Sequence, residues 1–192
     1  MSTAEDFNYL KIEEEEKEQA ERIARWSLSW VKPRSVIDFG CATGFYLEPF
    51  ERRHLHVLGL EVNQRALYWN KRRVQNLVEQ DISVPDLKVG VYDLGICLEV
   101  LEHMEQEKAV AACQNLGKTC RVLIFSAAVP GQGGVGHINL RPKEQWSKML
   151  RRVGYEPDIV ATRSLVDEVK KGKHLGWFVN NAMVMRNKAL KK

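Results

Sequence analysis

The sequence is short of long hydrophobic runs, paired cysteines and an overall charge of one sign. None of its apolar stretches approaches the ~20 residues of a membrane-spanning helix, and the opening MSTAEDFNYLKIEEEE is polar and acidic, unlike a secretion signal. The four cysteines show no CxxC spacing, which argues against zinc ribbons and redox-active disulfides. Together these absences predict a cytoplasmic protein in a reducing compartment, without a membrane partner.

The 192 residues are 44% apolar and 28% charged, which is ordinary composition for a globular domain. The net charge of +4 is unevenly placed: residues 1–34 sum to −2, residues 35–162 to zero and residues 163–192 to +6. The basic C-terminal region is explained either by a solvated surface or by a site for nucleic acid. The neutral central region gives no support to a DNA-binding enzyme, whereas an RNA partner stays open.

Alternating strand and helix patterns begin at Ser35. Strands are predicted at 35–39, 56–61, 77–81, 92–98 and 120–127, and helices at 44–53, 64–73, 105–115 and 143–153. This order predicts a parallel sheet covered by helices on both faces, with ligands at the carboxyl ends of the strands. An amphipathic helix from 13 to 31 precedes the sheet, and two strands at 157–162 and 177–185 are predicted to pair antiparallel at its edge.

The turn after the first strand, from Asp38 to Gly44, reads DFGCATG. Its glycines permit a tight turn and a close approach of the backbone to a ligand. It is not the dinucleotide fingerprint GxGxxG, because Ala42 and Phe45 occupy the places of later glycines, and it lacks the Lys-Ser/Thr pair of a P-loop. The acid at its start would repel a pyrophosphate and attract an ammonium group.

This turn resembles the glycine-rich motif of class I S-adenosylmethionine (SAM)-dependent methyltransferases, acid-x-Gly-x-Gly-x-Gly, and departs from it at Ala42. The resemblance extends from about Ser35 to Met185 and includes the fourth-strand segment YDLGICLEVLEH. It implies a Rossmann-like α/β fold, with a mainly parallel seven-stranded sheet, an antiparallel last strand and helices on both faces. It also implies one domain over 1–192, with 1–34 as a helical extension or lid, 35–185 as the SAM-binding catalytic core and 186–192 as a basic tail.

The same resemblance implies a set of cofactor-binding residues. Glu61, 23 residues after Asp38, ends the second strand, where the family's acid binds the ribose hydroxyls. Asp81 ends the third strand, where the family binds the adenine amino group. The expected SAM-binding residues are Asp38, Gly40, Ala42, Gly44, Glu61, Val62, Asp81, Ile82, Leu98 and Glu99.

The segment after the fourth strand contains Glu99, Glu102 and His103 in the pattern ExxEH. Residues at i, i+3 and i+4 share a helix face, and two carboxylates with an imidazole can hold a divalent cation. A similar EVxEH segment binds magnesium or a related ion in ubiquinone-type O-methyltransferases and small-RNA 2′-O-methyltransferases. The alternative is a helix start in which Glu102 is solvated and His103 packs or hydrogen-bonds.

A glycine-rich loop, VPGQGGVGHINLRP at 129–142, follows the fifth strand at the same edge of the sheet. It resembles PGQGGxGHxN segments of methyltransferases associated with glycans and small metabolites. Its His137 is a candidate general base, a fourth metal ligand beside Glu99, Glu102 and His103, or a residue that only ties the loop together. Weaker candidates for contacts with the acceptor are Asn139, Arg141 and Trp177.

The sequence thus predicts a methyltransferase that moves the SAM methyl group to an oxygen or nitrogen of a small hydroxylated metabolite or glycan, with S-adenosylhomocysteine as product. His103 or His137 would take the proton. Two alternatives stay open: an RNA or protein methyltransferase that docks through the basic C-terminal region, and a SAM-binding partner subunit without catalytic activity. The sequence has neither the Asn/Asp-Pro-Pro-aromatic motif nor the Pro-Cys nucleophile of enzymes that methylate DNA bases, and it leaves the oligomeric state open.

Overall fold

The computed structural model describes residues 9–69 and 74–190, with side chains from residue 14 onward. Seven strands form one sheet in the order β3-β2-β1-β4-β5-β7-β6. Their bounds are β1 Ser35–Phe39, β2 His56–Glu61, β3 Leu77–Glu79, β4 Tyr92–Leu98, β5 Cys120–Ser126, β6 Tyr155–Pro157 and β7 Met183–Asn187. The β7 strand runs antiparallel to both β5 and β6, whereas the first five strands pair in parallel. The predicted fold class is confirmed.

Helices cover both faces of the sheet. Their bounds are α1 Tyr9–Trp30, α2 Glu48–Glu51, α3 Gln64–Trp69, α4 Gln106–Thr119, α5 Lys143–Arg151, α6 Ile159–Val169 and α7 Gly176–Asn181, with a short 3-10 helix at Leu101–His103. Alternate residues of β1 enter different apolar clusters. Val36 packs with α1 and α6 residues, and Ile37 packs with α4 and α5 residues. In the described part of the chain, no helix has the length and apolar character to cross a lipid bilayer.

The prediction of a strand at 157–162 is wrong, because a helix begins at Ile159. The Asp158 side chain accepts a hydrogen bond from the Ala161 backbone N–H at 2.8 Å, which is N-cap geometry. The apolar pair that suggested a strand is exposed on the first turn, at 63% for Ile159 and 70% for Val160. Residues 163–169 therefore belong to helix α6, and a connection over residues 170–175 that starts with a turn leads to α7.

The predicted strand at 177–185 is also displaced. Trp177 belongs to helix α7, and the strand begins at Met183, after the helix ends at Asn181. The buried Phe178 of α7 fills the core beside α1 and α6. The apolar run was therefore a short, partly buried helix followed by a buried strand, and periodicity does not separate such short segments.

Two smaller differences concern the site. The helix predicted at 44–53 is reduced to a turn followed by α2, and β3 ends at Glu79, so Asp81 lies just beyond the strand. The end of the helix predicted at 64–73 falls on residues 70–73, which lie outside the described residues.

Candidate active site

The turn between β1 and α2 bends through three residues of positive φ, at +76° for Gly40, +47° for Ala42 and +80° for Gly44. A Cβ at Gly40 would lie only 2.6 Å from Cγ2 of Val100, so glycine is required there on steric grounds as well. Ala42 adopts a left-handed conformation that costs a non-glycine residue about 1–2 kcal/mol. Because strain of this kind persists only where the surroundings enforce it, Ala42 is held in place by its neighbours.

Glu61 is the neighbour that holds this turn. Its Oε2 accepts a hydrogen bond from the Ala42 backbone N–H at 2.9 Å, and its Oε1 accepts from the Val62 and Asn63 N–H groups at 2.9 Å each. The carboxylate thus joins the end of β2 to the turn that follows β1. The prediction that Glu61 ends the second strand is confirmed, and its role towards the ribose stays a prediction.

Two adjoining cavities open at this edge of the sheet. Cavity A, about 340 Å³, lies beside Glu61 and the ends of β1, β2 and β4. It includes the predicted residues Gly40, Ala42, Glu61, Val62, Ile82 and Glu99. Cavity B, about 230 Å³, continues from it towards α1 and the glycine-rich loop, and shares Gly40, Ala42, Glu99 and His103 with cavity A.

Gln80, rather than Asp81, lines cavity A among the described residues. The Asp81 Oδ1 accepts hydrogen bonds from the Ser83 backbone N–H at 2.8 Å and the Ser83 hydroxyl at 2.6 Å. These bonds hold the pKa of Asp81 below its usual range, with a smaller contribution from Lys108 at 3.4 Å. A role for Asp81 towards adenine stays a prediction, and the neighbouring Gln80 is a candidate that sequence reasoning missed.

Asp38 lies at the bottom of cavity B with 3% exposure. Burial raises its pKa well above the usual range, and the negative charge of Glu61 raises it further. A buried carboxyl of this kind gains most from a cationic or hydrogen-bond-donating ligand. Of the other residues expected to bind SAM, Leu98 also lines cavity B. Gly44 is absent from the described linings of both cavities, and its carbonyl accepts hydrogen bonds from the Leu47 and Glu48 N–H groups.

Helix α1, within the predicted extension or lid, forms one wall of cavity B through a residue that sequence reasoning missed. Glu16 of α1 lines the cavity at 7% exposure, and its Oε2 accepts a hydrogen bond from the Tyr46 hydroxyl. Burial raises the pKa of Glu16 to about 7, and Tyr46 partly opposes the rise. The sequence did carry a signal for the burial of Glu16, because it lies four residues before Ala20 and seven before Ile23, on the buried face of the helix.

Trp26 and Trp30 of the same helix face α6 and are absent from the described lining of cavity B. Their rings stack on each other at 5.9 Å.

The two acids of the ExxEH segment lie next to each other. Glu102 is fully buried, so the alternative of a solvated Glu102 is wrong. Its Oε1 accepts from the Ala128 backbone N–H at 3.0 Å, and Glu99 Oε2 accepts from the Gln132 side chain. The remaining oxygens, Glu99 Oε1 and Glu102 Oε2, are buried without a conventional donor in the described part of the chain. Burial, and next the charge of Glu99, raise the pKa of Glu102 to about 8.

The two histidines of the site face each other across cavity B. Their ring centroids lie 4.9 Å apart, and one ligand atom from each of Glu102, His103 and His137 falls within 4.8 Å of the others. Burial, followed by the proximity of His137, holds the pKa of His103 below its usual range. His137 also lies against its own loop, with Nδ1 3.4 Å from the Gln132 carbonyl. The structure therefore brings the segments around residues 103 and 137 together, and the roles of the two histidines stay predictions.

The predicted acceptor contacts divide into two groups. Trp177 lines cavity B from α7, whereas Asn139 and Arg141 are absent from the described linings of both cavities. Asn139 Nδ2 lies 3.4 Å from the Leu101 carbonyl, and its Oδ1 accepts from Arg141 Nε at 2.9 Å. These contacts fasten the loop to the 3-10 helix, which is a positioning role.

Comparison with known proteins agrees with this arrangement. Residues 37–124 match the family described as a methyltransferase domain. The matched segment contains the glycine turn, Glu61 and the ExxEH segment. Over this segment, somewhat less than half of its length, the chain is similar to class I SAM-dependent methyltransferases. The glycine-rich loop with His137 lies outside the matched segment.

Among curated relatives, a ubiquinone biosynthesis O-methyltransferase of Hahella chejuensis (strain KCTC 2396) is 26% identical over 139 residues. The match covers 62% of this chain and 57% of the relative, so the chain spans little more than half of that protein's length.

Two solved structures show the same methyltransferase fold. SAM-bound CalS10, an amino pentose methyltransferase of Micromonospora echinaspora, has a TM-score of 0.70 at 16% identity and covers 98% of this chain and 100% of its own. SAM-bound magnesium protoporphyrin IX methyltransferase of Synechocystis PCC 6803 has a TM-score of 0.65 at 19% identity, over 94% and 83% of the two chains. At these identities the likeness establishes the fold alone.

Proposed function

We propose that this protein transfers the methyl group of SAM to an oxygen, or a nitrogen, of a small hydroxylated metabolite or glycan. The observation that carries the proposal is the junction of the two cavities, where His103 and Glu99 line both. An acceptor in cavity B would thus meet a cofactor that extends from cavity A. The match to the methyltransferase domain and the O-methyltransferase relative support the reaction class.

The residues of cavity A suit the nucleoside part of the cofactor. Glu61 offers two carboxylate oxygens to vicinal ribose hydroxyls, and Val62 and Ile82 provide apolar walls for a flat ring. The glycine turn, narrowed by Val100, brings backbone atoms against the ligand. When bound, SAM supplies a sulfonium whose methyl group is electrophilic and open to in-line attack.

His103 is the group placed to take the proton of an acceptor hydroxyl. Its lowered pKa keeps the imidazole neutral at physiological pH, which is the state a general base requires. The Glu102 and His137 side chains beside it fix one wall of the site. The protein would otherwise orient SAM and the acceptor and exclude water from between them.

We expect His103→Asn to lower kcat by about 100-fold or more, which is the usual contribution of a general base. The wild-type pH profile should lose activity only below the ordinary histidine range, because the folded-state pKa of His103 is depressed. Steady-state rates against pH test both statements. His174→Asn is the matched control, since His174 hydrogen-bonds to the Gly172 carbonyl and is not part of cavity B. Wild-type turnover in His103→Asn would contradict the proposal.

The acceptor class is tested by turnover on a panel of sugars, catechols, amines and RNA. We expect methylation of hydroxylated small molecules and little of RNA. In the basic C-terminal region, Lys171 and Arg186 are paired with Glu168 and Asp158. Salt-sensitive methylation of RNA alone would instead favour docking through basic side chains, including those of the open groove beside α5.

A divalent cation at Glu99, Glu102, His103 and His137 is a second candidate, favoured by the two buried oxygens without donors. A cation there would supply Lewis-acid activation of acceptor hydroxyls. His103 would then be a ligand, and its loss would also abolish cation binding. Glu102, His103 and His137 fit such a group by type and closeness, whereas Glu99 is not part of that cluster of three in the described residues. A proton held between Glu99 and Glu102 would satisfy the same two oxygens.

If the cation is used, dialysis against a chelator should abolish turnover, and added Mg²⁺ or Mn²⁺ should restore it. Glu99→Ala should lose most activity because a carboxylate ligand is removed. Mn²⁺ binding, measured by electron paramagnetic resonance, reports the site without any acceptor. Turnover that survives chelation, together with wild-type rates in Glu99→Ala, would eliminate the cation and leave His103 as the base.

A further inference from the structure

Helix α1 brings a carboxylate to the end of cavity B nearest the glycine turn. Its position is fixed by the segment before α7: the Lys173 N–H donates to Glu18 at 3.0 Å, and the Leu175 N–H donates to Gln19 Oε1 at 3.1 Å. The Arg22–Glu168 ion pair at 3.4 Å joins the same helix to α6. Glu16 is therefore presented by a docked helix.

The Glu16 carboxylate is oriented by two hydrogen bonds in series. Gln19 Nε2 donates to the Tyr46 hydroxyl at 2.8 Å, and that hydroxyl donates to Glu16 Oε2. Tyr46 follows Gly44 by two residues, so this chain of bonds ties α1 to the glycine turn. Within the described residues, Glu16 Oε1 has no hydrogen-bond donor, although the residue is only 7% exposed and lines cavity B.

The carboxyl groups that line cavity B have no lysine or arginine to balance them among its described lining residues. These carboxyl groups are those of Glu16, Asp38 and Glu99. Tyr46, which lines the same cavity, donates to Glu16. Burial raises the pKa of its hydroxyl, and the negative charges of Glu16 and Asp38 both add to the rise. A buried acid of this kind calls for a cationic partner.

The amino-acid end of SAM carries that cation. Its ammonium and sulfonium are two positive charges against one carboxylate, and S-adenosylhomocysteine retains the ammonium. Cavity B shares Gly40 and Ala42 with the cavity for the nucleoside, so the amino-acid end of one bound molecule would enter it beside Asp38 and Glu16.

We propose that Glu16 is a cofactor-binding residue whose Oε1 accepts a hydrogen bond from the ammonium group of SAM, with Tyr46 and Gln19 as positioning residues. This inference rests on the proposed function, since it takes SAM as the ligand. Helix α1 thereby closes the amino-acid end of the cofactor site.

The experiment compares two ligands by isothermal titration calorimetry. S-adenosylhomocysteine carries the ammonium group, whereas 5′-methylthioadenosine has the same nucleoside and a thioether without the amino-acid group. Glu16→Gln should bind S-adenosylhomocysteine about tenfold more weakly, as expected for loss of a charged hydrogen bond. Its affinity for methylthioadenosine should be unchanged. Glu14→Gln, an exposed acid of the same helix, is the matched control and should affect neither ligand.

Tyr46→Phe removes the hydroxyl that orients Glu16 and should give a smaller loss with the same ligand selectivity. This second variant keeps the test valid if Glu16→Gln folds poorly. Wild-type affinity for S-adenosylhomocysteine in both variants would overturn the assignment while leaving the proposed function standing. Equal weakening of both ligands would overturn it as well, because the effect would then be structural. A wild-type protein that binds neither ligand would sink the proposed function itself.

Discussion

Glu61→Ala should bind S-adenosylhomocysteine at least about tenfold more weakly than the wild-type protein, and a loss of about 100-fold is expected if both ribose bonds go. The effect has two sources. The carboxylate is the acceptor for the ribose hydroxyls, and its oxygens also take the N–H groups of Ala42, Val62 and Asn63. Removing it deletes the side-chain acceptor that holds the strained Ala42, although the Gly40 and Cys41 N–H groups still donate to the Leu60 carbonyl of β2.

Calorimetry with S-adenosylhomocysteine measures this loss without knowledge of the acceptor. The matched control is Glu79→Ala, because Glu79 is directly opposite Glu61 in the β2–β3 register and is exposed, bonded to the Gln64 side chain. The control should bind normally. Near wild-type affinity in Glu61→Ala would show that the ribose is not held at this carboxylate.

Glu102→Gln should make the metal-free protein more stable at about pH 8, by about 2–4 kcal/mol in the free energy of unfolding. In the wild-type fold, burial beside Glu99 raises the pKa of Glu102 to about 8 from a usual value of 4.5. The folded state therefore holds a proton that the unfolded state releases. A glutamine amide keeps an oxygen that accepts from the Ala128 N–H, and its NH2 group replaces Glu102 Oε2 and can donate to Glu99 Oε1. Neither buried oxygen is then left without a partner.

The sign of the pH dependence follows from that raised pKa. Between about pH 4.5 and pH 8 the native protein binds more protons than the unfolded chain, so stability falls as pH rises. Glu16, with a pKa of about 7, adds to the same trend and is retained in the variant. Wild-type stability should thus decrease between about pH 5 and pH 8, and the slope should be smaller in Glu102→Gln.

Urea unfolding in the presence of a chelator gives both free energies. Glu105→Gln, an exposed acid at the start of α4, serves as the matched control and should follow the wild-type curve. Adding Mn²⁺ separates the two descriptions of the acid pair, because a bound cation would stabilise the wild type at pH 8 and leave Glu102→Gln unchanged. A Glu102→Gln variant that is less stable than the wild type at pH 8 would contradict a protonated, buried Glu102.

The elements of the central sheet were predictable because each depends on a local pattern. Ser35–Phe39 and His56–Glu61 are short apolar runs that end in or near an acid and are followed by turn residues, so strand, turn and acid are adjacent in the chain. The wrong strand predictions, at 157–162 and 177–185, fell where a short apolar run fits a helix as well as a strand. Ile159 and Val160 resemble a strand by composition, and only the capping bond of Asp158 shows that a helix begins there.

What the sequence determined by itself was the fold class, the glycine turn at Asp38–Gly44 and the acid at Glu61, because these arise from residues a few positions apart. Tertiary structure decided the rest of the site. It buried Glu102 and left its oxygen facing Glu99, brought His137 against His103, and placed Glu16 against Tyr46, 30 residues away. The reason is physical: burial, pKa and the pairing of distant side chains depend on every element packed around a group, and no local pattern in the chain carries that information.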